Sequence, residues 1–507
     1  MKTTTLLLLA LASSLSAHTS SEYTSSLAAA SPPTETRETT EPNGFVRINS
    51  TIQNFNAGQP WQRNNPVRRR GLGALLSPNE ILTVAEMVAD QTYLEFESSD
   101  GTNSVTAEVV AIDYKANLAL LTPTDPDRAA FLNELTPLPL GEPANIGDTA
   151  NIWQFDGNGT PLKTEGTIRT VDTFSSFIAG YAFLAYEIKG SMQSASSSFT
   201  LPVTRNGKLL GVLTSYDSED QLSRVIAPEI IAKFIADARD HHYEGFPSLG
   251  VATQATEDKI FRQYLSLTNN QGGLYISTVK PRSAAEKAGL QRGDVLLSVN
   301  DKLIDRRGYF DHPSYGPLPW TVLIRGVHSA GDEIKLEVLR EGSTKTILAT
   351  LESPEPALVP RHIYDSPPPF LINGGLVFQE LSRSYLTAFG ENWDTRAPIA
   401  LMHVLENPED YEEGRNSVVF LARVIPNPAT VGYDRLSGIL VESINGKPVP
   451  DLATLAAELE TPPANGIHAI GLADSPHTIY LNARFAAMVD QQLLQSGLPT
   501  LSRLPKK

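Results

Sequence analysis

Gly272-Gly-Leu-Tyr-Ile-Ser-Thr-Val-Lys-Pro-Arg-Ser-Ala-Ala-Glu-Lys-Ala-Gly-Leu-Gln-Arg-Gly-Asp-Val-Leu-Leu-Ser-Val-Asn300 is the stretch of sequence that decides the fold of this chain. It predicts a strand, a short helix and a second strand, each with its own start and stop signal. In chain order the signals are a strand that ends at Val279, a helix cap at Ser283, a helix over Ala284 to Ala288, a left-handed stop at Gly289, a turn at Gly293-Asp294 and a strand over Val295 to Val299. All of them agree, so the stretch is a folded module.

The stretch resembles a PDZ domain, and we assign residues 244–352 to it. Upstream of it, Ser248-Leu249-Gly250-Val251 is similar to the loop with which PDZ domains hold the terminal carboxylate of a peptide through backbone N–H groups. The resemblance implies that Leu249, Gly250 and Val251 bind peptide. Core packing is the alternative for the two apolar residues, and both roles are compatible. The aromatic insertion Arg306 to Trp320 either lines the groove or caps the domain.

Composition excludes several classes of protein. The chain has 507 residues, of which 41% are hydrophobic and 19% charged, so it holds enough apolar material for several cores. Its 41 Lys and Arg against 57 Asp and Glu give a net charge of −16, which argues against a nucleic-acid partner. It has no cysteine, which removes disulfides, thiolate zinc sites and cysteine nucleophiles. We expect no metal and no cofactor.

The N-terminus predicts export. Lys2 precedes the apolar run Leu6 to Ala12, and small residues follow, so we interpret residues 1–17 as a signal peptide. Residues 18–43 are rich in Ser, Thr, Ala and Pro, which is typical of a disordered linker. No later segment is long and apolar enough to span a membrane. The mature chain is therefore expected to be periplasmic or extracellular.

The front section, residues 44–243, has short apolar runs separated by Gly, Pro, Asn and Asp, which favours an all-β sandwich or barrel. A helix that starts at Pro228 is expected to close it. Residues 353–370 form a proline-rich linker, which we expect to be a semi-rigid spacer. Residues 371–507 mix strand-like and helix-like runs and look like a diverged relative of the 244–352 module.

With a PDZ domain behind a β-rich section, the front section resembles the serine protease domain of the HtrA/Deg family. That resemblance implies a mainly β fold, a chymotrypsin-like double β-barrel followed by a PDZ domain and a second, divergent PDZ-like domain of α+β type. The motifs that carry it are Gly71 to Glu86, Val109 to Leu121, Phe199 to Val212 and, in the last section, Gly374 to Phe378 and Val441 to Gly446. They place Glu86, Asn117 and Phe199 at the positions of the family's catalytic His, Asp and Ser.

These replacements remove the chemistry of serine proteolysis, which needs a base, a group that orients it, and a hydroxyl. Between His18 and His241 the sequence contains no histidine. An ordinary Glu titrates near about 4.3 and is a poor base for a serine. Thr200 and Leu201 replace glycines of the oxyanion turn. We expect no catalytic residues; Ser198, with its neighbours Ser196 and Ser197, is the fallback nucleophile in a Ser–Lys pair with Lys163 or Lys189, or in a Ser–Glu site.

The sequence therefore predicts an exported HtrA/Deg-like pseudoprotease that binds peptides or unfolded protein C-termini through its PDZ domains, in protein quality control of the cell envelope. The resemblance also implies a homo-oligomer built from trimers. Two alternatives stay open. One is a serine-type endopeptidase with a relocated Ser–Lys or Ser–Glu site, and the other is a regulatory subunit of an active HtrA-type protease.

Overall fold

The computed structural model describes residues 43–192, 200–240, 243–268 and 270–505. The predicted signal peptide and nearly all of the following linker lie outside the described residues. So do Phe199, the nucleophile position, and Ser198, the fallback nucleophile. Among the described residues, no helix has both the length and the apolar composition needed to cross a membrane.

The first barrel is closed in the order β1-β2-β3-β6-β5-β4. Its strands are β1 (Phe45–Ile52), β2 (Val67–Ser77), β3 (Glu80–Thr83), β4 (Gln91–Glu97), β5 (Ser104–Asp113) and β6 (Leu118–Pro123). Two 3-10 helices, Ala85–Met87 and Pro126–Glu134, belong to its loops. In β1, Val46 and Ile48 are buried while Arg47 and Asn49 are half-buried, which is the two-residue alternation of a barrel strand.

The second barrel is closed in the order β10-β11-β12-β9-β8-β7. Its strands are β7 (Thr149–Phe155), β8 (Pro161–Ser175), β9 (Ala182–Lys189), β10 (Leu201–Arg205), β11 (Lys208–Asp217) and β12 (Leu222–Ile226). Helix α1 (Pro228–Arg239) follows, with Pro228 in its first turn and Phe234 buried on its apolar side. The predicted double β-barrel and its closing helix are confirmed.

The third sheet runs in the order β13-β14-β15-β19-β20, and β16 pairs with β15. The strands of this module are β13 (Val251–Gln254), β14 (Leu274–Val279), β15 (Val295–Val299), β16 (Lys302–Leu303), β17 (Tyr309–His312), β18 (Gly316–Pro319), β19 (Glu333–Arg340) and β20 (Ser343–Thr350), and its helices are α2 (Lys259–Tyr264), α3 (Ala284–Lys287) and α4 (Val322–Arg325). Ser283 accepts a hydrogen bond from the backbone N–H of Glu286, so the predicted cap is present. β15 has the predicted bounds.

The last sheet runs in the order β27-β26-β24-β23-β22-β21-β28, and β25 pairs with β24. Its strands are β21 (Phe370–Asn373), β22 (Leu376–Glu380), β23 (Val419–Val424), β24 (Ile439–Ile444), β25 (Lys447–Pro448), β26 (Ile467–Leu472), β27 (Thr478–Asn482) and β28 (Ser502–Arg503), and its helices are α5 (Arg383–Thr387), α6 (Trp393–Arg396), α7 (Ile399–Glu406), α8 (Leu452–Glu460) and α9 (Ala483–Gln495), with a 3-10 turn at Pro408–Asp410. The predicted mixture of strands and helices is confirmed.

The barrels and the third sheet share one apolar core. A continuous cluster of buried side chains includes Trp153 of the second barrel, Phe234 of α1 and Ile276 of β14. The last sheet has a separate core around Phe378 and Leu421. The first PDZ-like module is therefore packed onto the barrels, and the last module builds its own interior.

Candidate functional site

Direct contacts join β2 of the first barrel to the residue that precedes β10 of the second barrel. The backbone N–H of Leu72 donates to the carbonyl of Thr200 at 3.0 Å. A Cβ added at Gly71 would lie 3.0 Å from Thr200 Cγ2 and 3.2 Å from Met87 Sδ. Since Met87 follows Glu86 and Thr200 follows Phe199, the structure brings the neighbours of two triad-equivalent positions together.

Thr200 itself is committed to the second barrel. Its side chain is fully buried, and its hydroxyl donates to the carbonyl of Leu213 at 2.9 Å. A hydroxyl held in this way satisfies a carbonyl of β11. Position 200, a glycine of the oxyanion turn in the resemblance, thus acts as a structural joint between the strands.

Glu86 and Asn117 are also brought together. The backbone N–H of Glu86 donates to Asn117 Oδ1 at 2.9 Å. Asn117 is buried and adopts a φ of 58°, a left-handed conformation that Asn tolerates better than most residues. The side-chain oxygen of Asn117 accepts a hydrogen bond from the backbone of Glu86, so Asn117 orients the main chain at residue 86 and not the Glu86 carboxylate.

The carboxylate of Glu86 is half-buried. Burial raises its pKa, and the positive charge of Arg69 opposes that rise. Arg69 also donates through Nη1 to the backbone carbonyl of Glu86. The residue at the base position is therefore an acid beside a cation, and the barrel sequence supplies no imidazole there.

The proline-rich linker packs against the first barrel through Tyr364 and Asp365. The N–H of Asp90 donates to Asp365 Oδ1 at 2.7 Å, and the N–H of Asp365 donates back to Asp90 Oδ1 at 2.9 Å. The Tyr364 ring lies 4.7 Å from that of Tyr114, and burial together with the charges of Asp90 and Glu86 raises its pKa. Aromatic contacts and paired turns hold the linker in place.

The linker also carries an imidazole, at His362. His362 stacks on Tyr364 with ring centroids 5.3 Å apart. Burial lowers its pKa, and the nearby charges of Arg383 and Arg361 lower it further. Sequence reasoning missed this group, since His362 is separated from the barrel by a whole domain and no local pattern connects the two.

The two lysines of the fallback site have other contacts. Lys189 is exposed and donates to the backbone carbonyl of Asp220. Lys163 lies over the ring of Trp153, with its Nζ 5.9 Å from the ring centroid. Ser196, Ser197 and Ser198 lie outside the described residues. Within the part of the chain that the structure describes, no group of three or more His, Asp or Glu could hold a metal ion.

The loop before β13, Ser248 to Val251, is held by contacts with Ser283 and Ala285. Leu249 is buried in the core, and its carbonyl accepts the N–H of Ala285 at 2.9 Å. Gly250 has a φ of 82°, and a Cβ there would lie 2.3 Å from Ser283 Cβ. Val251 opens β13 and pairs with Val279. The loop needs glycine at position 250 and is held in one conformation.

The two PDZ-like sheets differ at the edge that follows this loop. In the first, β13 is the terminal strand, and no described strand pairs with its outer edge. In the last, the corresponding first strand β21 pairs with β28, and the N–H of Ile372 donates to the carbonyl of Leu501 at 2.7 Å. Among the described strands, the outer edge of β13 therefore has no partner, whereas that of β21 is paired with β28.

The aromatic insertion forms the hairpin β17–β18 and docks on the second barrel. Tyr315 Oη donates to Glu229 Oε1 at 3.0 Å and lies 3.3 Å from Tyr186 Oη. Tyr186 Oη in turn accepts the N–H of Ala144 at 3.0 Å. These contacts anchor the insertion to the barrel domain, and other residues of the insertion, among them Phe310, line a cavity of about 640 Å³, so both predicted roles stay predictions.

Comparison with known proteins gives consistent findings. Family models described as PDZ domain match residues 359–497 and 275–309. Protease Do-like 4, mitochondrial, of Arabidopsis thaliana is 24% identical over 422 residues, 83% of this chain and 77% of the relative. Protease Do-like 2, chloroplastic, of the same plant is 26% identical over 419 residues, which are 82% of this chain and 67% of the relative. The solved structure of the HtrA-type protease AlgW with decapeptide aligns with a TM-score of 0.46 at 17% identity, over 62% of this chain and 97% of that one.

Proposed function

Because the chain is a homologue of the Do-like (HtrA/Deg) serine proteases that carry PDZ domains, we propose that it is a peptide-binding pseudoprotease. In this proposal the double barrel is a frame, and the first PDZ domain binds peptides or the C-termini of unfolded proteins. The N-terminal signal pattern supports export, with a role in protein quality control outside the cytoplasm. We also propose a homo-oligomeric assembly, as the resemblance implies.

The observation that carries the proposal is the hydrogen bond between Asn117 and Glu86, the residues at the predicted Asp and His positions. Asn117 uses its side chain to hold the backbone of Glu86, and Glu86 brings a carboxylate where a base is needed. A Ser-His-Asp site requires the third group to orient and charge-stabilise an imidazole. Neither half of that pair remains, and position 200 is committed to β11.

The first PDZ domain is the proposed binding module, because its β13 edge is open while β21 is paired with β28. A peptide that adds to β13 would reach the braced loop at Leu249, Gly250 and Val251, the predicted peptide-binding residues. Main-chain bonds to the edge would supply affinity, and the loop would receive the terminal carboxylate.

A library of peptides with free or amidated C-termini, screened against the full chain, tests this function. We expect the free acids to bind and the amides to bind poorly. Gly250→Ala should abolish binding, since its new Cβ clashes with Ser283, whereas Gly342→Ala is the control, with a similar φ of 76° and no atom within 4 Å of the new Cβ. Equal binding of acids and amides would refute the loop assignment.

One observation favours a second candidate, an endopeptidase. The pKa of Glu86 is raised, and His362 stacks on Tyr364, a ring whose own pKa is raised by the charge of Glu86, so two groups are candidates to accept a proton from a serine. A fluorophosphonate probe and casein digestion decide between them. Labelling of Ser196, Ser197 or Ser198, with loss of casein cleavage on its replacement by Ala, would establish the enzyme and end the pseudoprotease proposal.

A further inference from the structure

A cavity of about 620 Å³ lies next to the peptide loop of the first PDZ domain. Pro247 and Ser248 line it, four and three residues before β13 begins at Val251. The other walls come from the barrel loop around Tyr181, from the C-terminal end of α4 at Arg325 and from the linker at Arg361. A strand added to β13 would therefore end at the mouth of this cavity.

Positive charges converge on one aromatic ring in the cavity. Lys115 Nζ, Arg325 Cζ and Arg361 Cζ each lie 5.6 Å from the centroid of the Tyr181 ring, so no two of them are more than twice that distance apart. Lys280 and Arg383 line the same cavity. The chain as a whole has a net charge of −16, so this cavity is a positively charged region of an acidic protein.

Asp113 supplies a counter-charge to Lys115, without a salt bridge between the two side chains. None of the cations of this cluster forms a salt bridge with a described residue, and the single acidic side chain of the lining, Glu355, is paired with Arg282 at 2.8 Å. Burial lowers the pKa of Lys115, and the charge of Arg325 adds to that effect while Asp113 opposes it. Burial lowers the pKa of Arg325 too, with a further contribution from Arg361.

Holding partly buried like charges together costs free energy unless an anion shares the site. Arginine guanidinium groups match carboxylates through paired hydrogen bonds, so the cluster has the donor set for more than one carboxylate. An apolar terminal residue would cover the cations without pairing them and would bring only the single charge of its terminal carboxylate.

We propose that this cavity binds the two carboxylates of an acidic C-terminal residue, so that the first PDZ domain selects peptides ending in Asp or Glu. The inference rests on the proposed peptide-binding function and adds the class of ligand. In this proposal the terminal carboxylate would lie at the loop that contains Ser248, and the side-chain carboxylate would lie toward the cations around Tyr181, which line the same cavity.

The test measures fluorescence anisotropy of labelled peptides that share one body and end in Asp, Asn or Leu, with the full-length chain. We expect the Asp peptide to bind roughly 10- to 100-fold more tightly than the Asn and Leu peptides, the range for charge-assisted pairs. Arg325→Gln and Arg361→Gln should each remove most of that preference. Arg292→Gln, an exposed arginine of the same domain that is not among the lining residues, should keep it.

The outcomes separate the inference from the function it rests on. Tight binding of the Leu or Asn peptide at the affinity of the Asp peptide would leave peptide binding standing and overturn the acidic preference. Binding of tripolyphosphate that Arg325→Gln removes, with no peptide bound at all, would overturn both and make the cavity a polyanion site. Thermal unfolding of each variant, compared with the parent chain, shows whether a loss of binding is a loss of fold.

Discussion

Replacing Tyr315 by Phe should loosen the hairpin β17–β18 from the second barrel. Tyr315 is 8% exposed, and Phe has nearly its shape, so the substitution removes one hydroxyl and leaves the packing in place. That hydroxyl donates to Glu229 Oε1, while Glu229 Oε2 is buried and has no hydrogen-bond partner in the described structure. In the variant, neither oxygen of the buried Glu229 carboxyl accepts a hydrogen bond from the hairpin.

The expected cost follows from the charge of the lost acceptor. A hydrogen bond to an ionised group contributes about 1.5 to 3 kcal/mol, and an orphaned buried acceptor costs about 1 to 3 kcal/mol. A loss of about 1 to 3 kcal/mol corresponds to roughly 5- to 150-fold more frequent opening of the hairpin. Burial raises the pKa of Glu229 and so disfavours its charged form, and the hydrogen bond from Tyr315 partly offsets that rise.

The sign of the pH effect is fixed by that raised pKa. Stability from a carboxyl whose folded pKa lies above its unfolded value is fully present below the unfolded pKa and is lost as pH rises through the folded pKa. Without the Tyr315 donor the folded pKa of Glu229 rises further. The cost of Tyr315→Phe should therefore be larger at pH 7.5 than at pH 5.

Hydrogen exchange of the hairpin amides, corrected for intrinsic rates and followed by mass spectrometry on the full chain, measures this opening. Tyr264→Phe is the matched control, because Tyr264 is 81% exposed and its loss of a hydroxyl should change nothing beyond about 0.5 kcal/mol. Exchange in Tyr315→Phe that equals the control, or a cost that is the same at both pH values, would refute the network as the hairpin's anchor.

Two further substitutions test buried carboxylates. Burial raises the pKa of Asp490 to about 6, so the parent chain loses stability as pH rises through that value. Asp490→Asn keeps an acceptor for the N–H of Gly374 and has no charge to bury. In urea unfolding, the variant should be more stable than the parent chain by up to about 3 kcal/mol at pH 7.5 and equally stable at pH 4. Arg340 contacts Asp294 through two bonds of 2.6 and 2.7 Å, and Asp294 is fully buried, so Arg340→Gln should cost about 3 to 5 kcal/mol in the same assay. A loss no larger than that of Arg292→Gln would contradict the second expectation.

Local patterns in the sequence were sufficient to predict the strands and the helix of residues 272–300 and their order along the chain. Ser283, Gly289 and the Gly293 turn are each read from neighbouring residues, because caps and left-handed stops depend on chemistry within a few positions. The pairing of positions 86 and 117 could also be predicted, since the resemblance placed both at one site and the structure joins them by a hydrogen bond.

The contacts between distant segments could not be predicted. Lys115, Tyr181, Arg325 and Arg361 come from four segments far apart in the chain, and each alone has the composition of an ordinary surface position. The linker gave the same difficulty: its prolines predict extended backbone, but the pairing of Asp365 with Asp90 depends on where the linker is anchored at both ends. Charge clusters of this kind appear only when the domains are assembled.

In the proposed pseudoprotease, contacts at the replaced positions give a reason for the barrel to be retained. Catalytic groups are held in arrangements that serve the reaction and often cost stability. Here Asn117 satisfies a backbone N–H, the hydroxyl of Thr200 satisfies a carbonyl of β11, and the carbonyl of Thr200 accepts the N–H of Leu72 from the other barrel. Asn117 and Thr200 thus form contacts within or between the barrels at positions that the resemblance assigns to the catalytic site. The same barrels supply Tyr181 and Lys115 to the cavity beside the PDZ loop, so selection for ligand recognition alone would preserve them.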